Sequence, residues 1–248
     1  MEFSYTALHS LMNCEYSYFL RYVLRVPIKE SSASVYGTAI HQTIKLGYDN
    51  DLPRDEWANV FRQQWMELTS NKDIVFANEG EYLKKFKDGA QMVTDYYDKF
   101  VKRHKAPQMT EFFFGRDQAV TIGDGHLLIG VLDQIDAKNR VIDYKSGVKP
   151  TKNKLDLDLQ FTVYSYAYRQ LFGKKESGLV LRHLGTMKDL VTTRTEDDFA
   201  VLEEEVNKVA KRLKGKLYLR NLDRSCDNCY FIEHCLGKER SYGRRQYY

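Results

Sequence analysis

Apolar residues recur every three to four positions from about Tyr5 to Val26, in a run rich in Leu, Tyr and Phe that Pro27 ends, and the spacing predicts a first helix. The same period predicts helices at about Val35 to Tyr48, Asp55 to Ser70 and Glu79 to Lys105, so the front of the chain reads as helical. After Pro107 the pattern shortens. EFFFG (111–115), DQAVTI (117–122), HLLIGVLDQIDA (126–137) and VIDYKS (141–146) read as strands, with GDG at 123–125 and KN at 138–139 as turns. Three or four antiparallel strands in a meander are expected. The helical period returns from Leu155 to Phe172; GLVLRHL (178–184) and LVTTRT (190–195) predict two more strands, and Glu196 to Lys214 a strongly charged helix.

A sheet flanked by helices is an α/β layer architecture. With no internal repeat, low-complexity tract or obvious linker, one domain over 1–248 is expected: a mainly helical front (1–106), a sheet core (107–195), and a closing helix with a cysteine cluster (196–248).

One strand carries unusual charge. Residues i and i+2 share a strand face, so Asp143 and Lys145 point together with Val141, while Ile142 and Tyr144 point away. The bland reading is a surface ion pair worth about 0 to 1 kcal/mol. On a central strand, burying these charges is costly without a strong reason. The preceding strand supplies one, because Asp133 falls on the same face as Ile129, Val131 and Ile135. Two carboxylates on adjacent strands beside a lysine form a hard-oxygen site for Mg²⁺ or Mn²⁺, with the lysine steadying a phosphate or positioning a water. That arrangement suits phosphodiester hydrolysis.

Composition narrows the picture little further. Hydrophobic residues make up 43% and charged residues 29% of 248, with 15 Gly and 4 Pro, which fits neither a disordered nor a fibrous chain. No run approaches the roughly 20 apolar residues of a membrane span, and MEFSYTALHS lacks a signal-peptide pattern, so an intracellular, non-membrane protein is expected. The net charge of +4 is mild, but 18 Tyr and 13 Phe beside 38 Lys plus Arg suit single-stranded nucleic acid, as they equally suit an amphipathic surface.

The four cysteines divide into Cys14 and the set Cys226, Cys229 and Cys235, spaced C-x2-C-x5-C. In a reducing compartment such a set indicates a metal site more than a disulfide. The spacing leaves zinc, with His234 able to replace a cysteine, and an iron–sulfur cluster both open. Either would clasp the first helix to the carboxyl-terminal segment.

Asp133 followed ten residues later by Asp143-Tyr144-Lys145 resembles the D…(D/E)-x-K of the PD-(D/E)XK nuclease superfamily, and GVLDQID with VIDYKSG resembles its RecB-like branch. GTAIH (37–41) resembles that branch's G-x-x-x-H motif and QFTVY (160–164) its Q-x-x-x-Y motif, while FSYTALHSLMNCEYSYFLRY resembles its first helix. The cysteine pattern is similar to the iron–sulfur staple of the AddB nuclease domain and of CRISPR-associated RecB-like exonucleases. Glu15 after Cys14, where proline is common, and Gln134 after Asp133, where arginine is frequent, depart from the pattern without removing a ligand.

The resemblance implies a restriction-endonuclease-like mixed sheet with a carboxyl-terminal iron–sulfur segment. It implies that His41, Asp133, Asp143 and the Tyr144 carbonyl bind Mg²⁺ or Mn²⁺, that Lys145 activates or orients water, and that Cys14, Cys226, Cys229 and Cys235 hold a 4Fe-4S cluster. The histidine nitrogen suits manganese better than magnesium. Gln160 and Tyr164, one helical turn apart, would position the substrate strand or the lysine, with Tyr168 extending the strip. Glu111 resembles an acid common at the start of the first strand. The implied activity is metal-dependent DNA cleavage, as a single-strand exonuclease in recombination, repair, phage replication or CRISPR adaptation. The alternatives are a non-catalytic DNA-binding subunit of a helicase or spacer-acquisition complex, and a zinc-stapled binding protein. The basic, aromatic tail GKERSYGRRQYY suits either contact with DNA or a disordered terminus.

Overall fold

The structure, a computed structural model, describes residues 1–70, 74–223, 226 and 229–237; residues 238–248 of the tail lie outside the described residues. Seven strands make one mixed sheet: β1 (Glu2–Ser4), β2 (Met109–Phe114), β3 (Val120–Ile122), β4 (His126–Ile135), β5 (Arg140–Lys145), β6 (Gly178–His183) and β7 (Lys188–Thr192). The order is β1-β4-β5-β6-β7, with β2 and β3 also on β4. The expected meander is therefore corrected. The 10-residue β4 is long enough to take β3 at its start (Val120 opposite Leu128) and β2 further along (Phe113 opposite Val131), both antiparallel and neither bonded to the other as a ladder. Strand β1, too short to show a period in the sequence, adds in parallel beside Leu127 to Ile129.

Among the described residues there are nine helices: α1 (Tyr5–Asn13), α2 (Glu15–Tyr18), α3 (Ser32–Asp49), α4 (Arg54–Thr69), α5 (Glu79–Tyr96), α6 (Lys152–Asp156), α7 (Leu159–Phe172), α8 (Glu196–Lys214) and α9 (Ile232–Leu236), with π-helical turns at Phe19–Val23 and Tyr97–Val101. The first expected helix is interrupted. Cys14 is extended (φ −158°, ψ 105°) and separates α1 from α2, although the apolar period runs through it. The helix expected over 155–172 also divides, because Asp158 takes an extended conformation and caps α7 by accepting from the Gln160 amide at 2.8 Å. Strand β5 then joins β6 in parallel across this helical crossover, and β6 pairs β7 antiparallel.

The sheet separates two cores. Val141 and Leu181 face one built with Leu8, Phe161, Val163 and Leu202, under α1, α7 and α8. Ile142, Tyr144 and Val180 face the other, built with Ile40, Trp57, Phe61 and Val93, under α3, α4 and α5. Glycine permits close helix contact in the second: a Cβ on Gly47 would overlap the Trp57 ring, and one on Gly89 the Phe61 ring. Arg194, 1% exposed, locks the start of α7 in place, donating to the carbonyls of Leu155 (3.1 Å) and Asp158 (2.9 Å) and to Thr162 Oγ1 (2.8 Å). Among the described residues no helix is long and apolar enough to cross a membrane.

Candidate active site

The alternation of β5 sends Asp143 and Lys145 to the α7 side of the sheet and leaves the Tyr144 ring in the opposite core. Asp143 is 1% exposed, and the amino-terminal turn of α7 stands over it because Asp158 and Arg194 fix that turn. Gln160 then reaches both charges. Its Nε2 donates to Asp143 Oδ1 at 3.0 Å and to Tyr164 Oη at 2.7 Å, and its Oε1 accepts from Lys145 Nζ at 3.0 Å. Lys145 Nζ is 3.2 Å from Asp143 Oδ1 and 2.9 Å from Oδ2. The Oδ2 contact lacks hydrogen-bond alignment, so this buried oxygen has no hydrogen-bond partner among the described residues.

The second carboxylate, Asp133 on β4, accepts from the Tyr144 backbone N–H at 2.9 Å through Oδ2. Helix α3 brings His41 to the same place: its Nδ1 is 3.5 Å from Asp133 Oδ2, and its Nε2 lies 3.1 Å from the Tyr144 carbonyl, to which it donates. His41 thus touches two of the groups expected to share an ion, the Asp133 carboxylate and the Tyr144 carbonyl. Burial, the largest effect on Asp143, pushes its carboxyl up to about 7; Lys145 opposes the shift and Asp133 adds to it. For Lys145, burial disfavours the charge, yet the charge and hydrogen bond of Asp143, with Asp133 and Asp158, raise it above the usual lysine value. For His41, burial lowers the value, but the charge and hydrogen bond of Asp133 outweigh it and leave the imidazole raised.

His41, Asp133, Tyr144 and Lys145 border a cleft of about 520 Å³ that also takes in Gly37, Gln42, Glu111 and Val131, and Lys145 links it to the buried Asp143 and to Gln160. Glu111 sits where β2 turns aside, with a left-handed φ of 46° opposite Asp133, and burial raises its carboxyl above the usual range. The site also includes residues whose sequence context gave no sign of it. Gln42 Oε1 is buried in the cleft without a partner among the described residues. The Tyr5 hydroxyl, on α1, is pushed up to about 12 by burial, then by the charge of Asp158. Gln134, which departs from the family pattern, accepts a short hydrogen bond from the Tyr144 hydroxyl, which also meets Tyr96 Oη at 3.1 Å.

Tyr164 is buried beside Gln160, whereas Tyr168 does not join the strip expected of it. It is 1% exposed in the α7 core, with its hydroxyl 3.4 Å from Asn139 Oδ1 in the β4–β5 turn. The helix face that carries Gln160 into the cleft descends into the core two turns later.

The four cysteines are free and half-buried. The extended Cys14 lies where the two ends of the chain meet: the Tyr16 amide donates to Leu219 O at 3.1 Å, Leu219 N to Glu15 Oε2 at 3.0 Å, and Asn221 Nδ2 to Asn13 O at 2.9 Å. Burial raises the Cys229 thiol, and Cys14, Cys226 and Cys235 add to the shift, so all three lie within its field. His234 is exposed on α9. Among the described residues, no three His, Cys, Asp or Glu side chains are drawn together closely enough to hold a metal ion, either at the thiols or in the cleft. The expected 4Fe-4S site is thus not formed as a closed thiol cage.

The chain belongs to the PD-(D/E)XK nuclease superfamily, whose family model matches residues 2–236. Its fold is similar to the crystal structure of a protein from Eubacterium rectale described as "Putative exonuclease", with a TM-score of 0.64 and 14% identity over 91% of this chain and 86% of that one. No curated protein matches. Members of the superfamily typically use Mg²⁺ or Mn²⁺. The donor chemistry fits such an ion: the Asp133 carboxylate, His41 and Tyr144, whose carbonyl meets His41, line the cleft, and the buried Asp143 carboxylate lies within the field of Asp133 and His41.

Proposed function

We propose that this chain is a divalent-metal-dependent deoxyribonuclease of the RecB-like kind, acting as an exonuclease on single-stranded DNA ends. The observation that carries the reading is the buried Asp143 carboxylate, held against Lys145 and Gln160 in a charged network that nothing in the packing of the sheet demands. Asp133, Asp143, His41 and the Tyr144 carbonyl would hold Mg²⁺ or Mn²⁺, with Glu111 lining the same cleft. Bound there, the ion would supply charge stabilisation for the scissile phosphate and lower the pKa of a water.

The remaining steps belong to the chain. Lys145, held cationic by Asp143, presents Nζ to the attacking water or to a phosphate oxygen. Gln160 fixes Nζ from the other side and, through Tyr164, is itself fixed. The low exposure of Asp143 strengthens each of these contacts by excluding solvent. A time course with end-labelled single- and double-stranded DNA, with and without Mn²⁺, tests activity and polarity together; metal-independent or absent cleavage refutes the reading.

The same proposal assigns Cys14, Cys226, Cys229 and Cys235 to a 4Fe-4S cluster that clasps the ends of a single nuclease domain. The mutual field of the thiols and the hydrogen bonds joining residues 13–16 to 219–221 support it. Protein purified without oxygen should absorb broadly in the visible and contain iron and sulfide; a colourless preparation with stoichiometric zinc overturns the assignment. Work with a helicase or with CRISPR adaptation proteins is the pathway-level part of this reading, tested by co-purification.

A further inference from the structure

A second cavity, of about 360 Å³, opens at the far end of β5, under the β4–β5 turn and the residues that follow the π-helical turn Tyr97–Val101. Its lining carries five cationic side chains, Arg103, Lys105, Lys138, Arg140 and Arg182, against one carboxylate, Asp136. That carboxylate is already used: Oδ1 accepts from the backbone amides of Lys138 and Arg140, both at 2.9 Å, and Oδ2 from Arg140 Nε at 2.7 Å. Arg182 is 4% exposed, paired through two nitrogens with Asp189 and stacked 3.8 Å from the Phe100 ring centre, so a fixed guanidinium forms part of the wall. Lys105, Lys138 and Arg103 form no ion pair with any described residue, and the Asp98 carboxylate nearest Arg103 is bidentate to Arg54.

Gathering like charges around a concavity costs energy unless something negative occupies it, and the concave wall focuses the field inward. The Tyr48 hydroxyl and Gln134 add neutral polar groups to the same wall. Phe100, Ala137 and Ile142 also line the wall, but its charge is almost entirely positive, and clustered guanidinium and ammonium groups are the chemistry that recognises a phosphate group.

We infer that this cavity is a phosphate-binding site separate from the cleavage cleft. Its placement relates it to the cleft. Arg140 and Lys145 are the two ends of β5, about 17 Å apart at roughly 3.3 Å per residue. Helix α3 also runs between the two, with His41 at the cleft and Tyr48 at the cavity, about 10 Å apart along the axis at roughly 1.5 Å per residue. A single strand of a few nucleotides is long enough to cover that interval. The phosphate therefore comes either from the backbone of a bound strand or from a free anion. Phosphate binding here does not depend on cleavage in the cleft.

The test uses the whole chain in the presence of a chelator, so that binding is read without turnover. Anisotropy of a labelled single-stranded oligonucleotide and calorimetry with inorganic phosphate are compared for the parent and for the double variant Lys105→Glu/Lys138→Glu. Both lysines are exposed, and unchanged thermal unfolding verifies the fold. If the strand backbone occupies the cavity, oligonucleotide affinity falls about tenfold and the salt slope drops by about 0.7 for each phosphate no longer neutralised. If a free anion occupies it, oligonucleotide affinity holds and inorganic phosphate binding disappears in the variant. Unchanged binding of both ligands, or no phosphate binding by the parent together with an unaltered oligonucleotide isotherm, overturns the site. A parent that binds through this cavity yet never cleaves DNA would refute the nuclease reading and leave this one intact.

Discussion

Lys145 Nζ and Gln160 Oε1 are joined by a 3.0 Å hydrogen bond that crosses from the end of a strand to the first turn of a helix. It holds the lysine against both oxygens of Asp143, 3.2 and 2.9 Å away, so opposite charges are concentrated at the end of the strand. Perturbing the groups around this bond should separate chemistry, positioning and stability.

Replacing Lys145 by Ala should lower Mn²⁺-dependent cleavage by about 10²- to 10⁴-fold, the usual contribution of a positioned proton-transfer or charge-stabilising group. Because the substitution strips the 1% exposed Asp143 of its cation, the thermal midpoint near neutral pH should fall, and cleavage is compared per folded protein. Gel assays with end-labelled DNA beside thermal unfolding measure both; retained cleavage would remove Lys145 from the mechanism.

Gln160→Ala releases the lysine while leaving it charged. A positioning role predicts a fall in kcat of about tenfold or more with KM nearly unchanged, because the amide orients a group rather than binding substrate. An equal change in KM would instead mark Gln160 as a substrate contact.

Without metal, the contribution of Asp143 to stability should fall as pH rises from about 4 to about 7. Asp143 titrates at an ordinary value of 3.8 when unfolded and near 7 when folded, so across that interval the folded state binds more protons than the unfolded one. Thermal midpoints in chelator should be lower near neutral pH than near pH 5 by more in the parent than in Asp143→Asn. Adding Mn²⁺ near neutral pH should restore stability to the parent alone, since binding to the native state stabilises it.

Tyr144→Phe keeps the ring but leaves Gln134 Oε1 and the Tyr96 hydroxyl short of a partner in the core. Unsatisfied buried polar groups cost about 1 to 3 kcal/mol each, and chemical denaturation should show a loss in that range. Because the backbone contacts of residue 144 to Asp133 and His41 remain, cleavage by the folded fraction should persist.

The parts of the site that lie on regular elements were legible in the sequence. Strict alternation in β5 placed Asp143 and Tyr144 on opposite faces, and helical spacing placed Gln160 beside Tyr164. What escaped depends on tertiary contacts. The apolar period of the first helix continues through Cys14, yet the chain breaks there as the segment around it bonds to residues 219–221. Tyr168 shares a face with Gln160, but that face tilts from the cleft into the core. The hydroxyl chain Tyr48–Tyr96–Tyr144 gathers residues from three separated segments, and no local pattern joins them. Gln42 neighbours His41 in sequence and enters the same cleft only because α3 packs against the end of β5.

The left-handed backbone at Glu111 bears on solubility as well. Strand β2 bonds only to β4 among the described strands, and its outer side is a row of peptide groups on which another chain could template. A kink with a half-buried acid in the middle of a six-residue strand breaks that row into pieces too short to extend. Straightening the position with a β-branched residue, as in Glu111→Val, would then do more than alter the cleft: it would leave a flat, apolar margin beside the exposed Phe113, and self-association would rise with protein concentration.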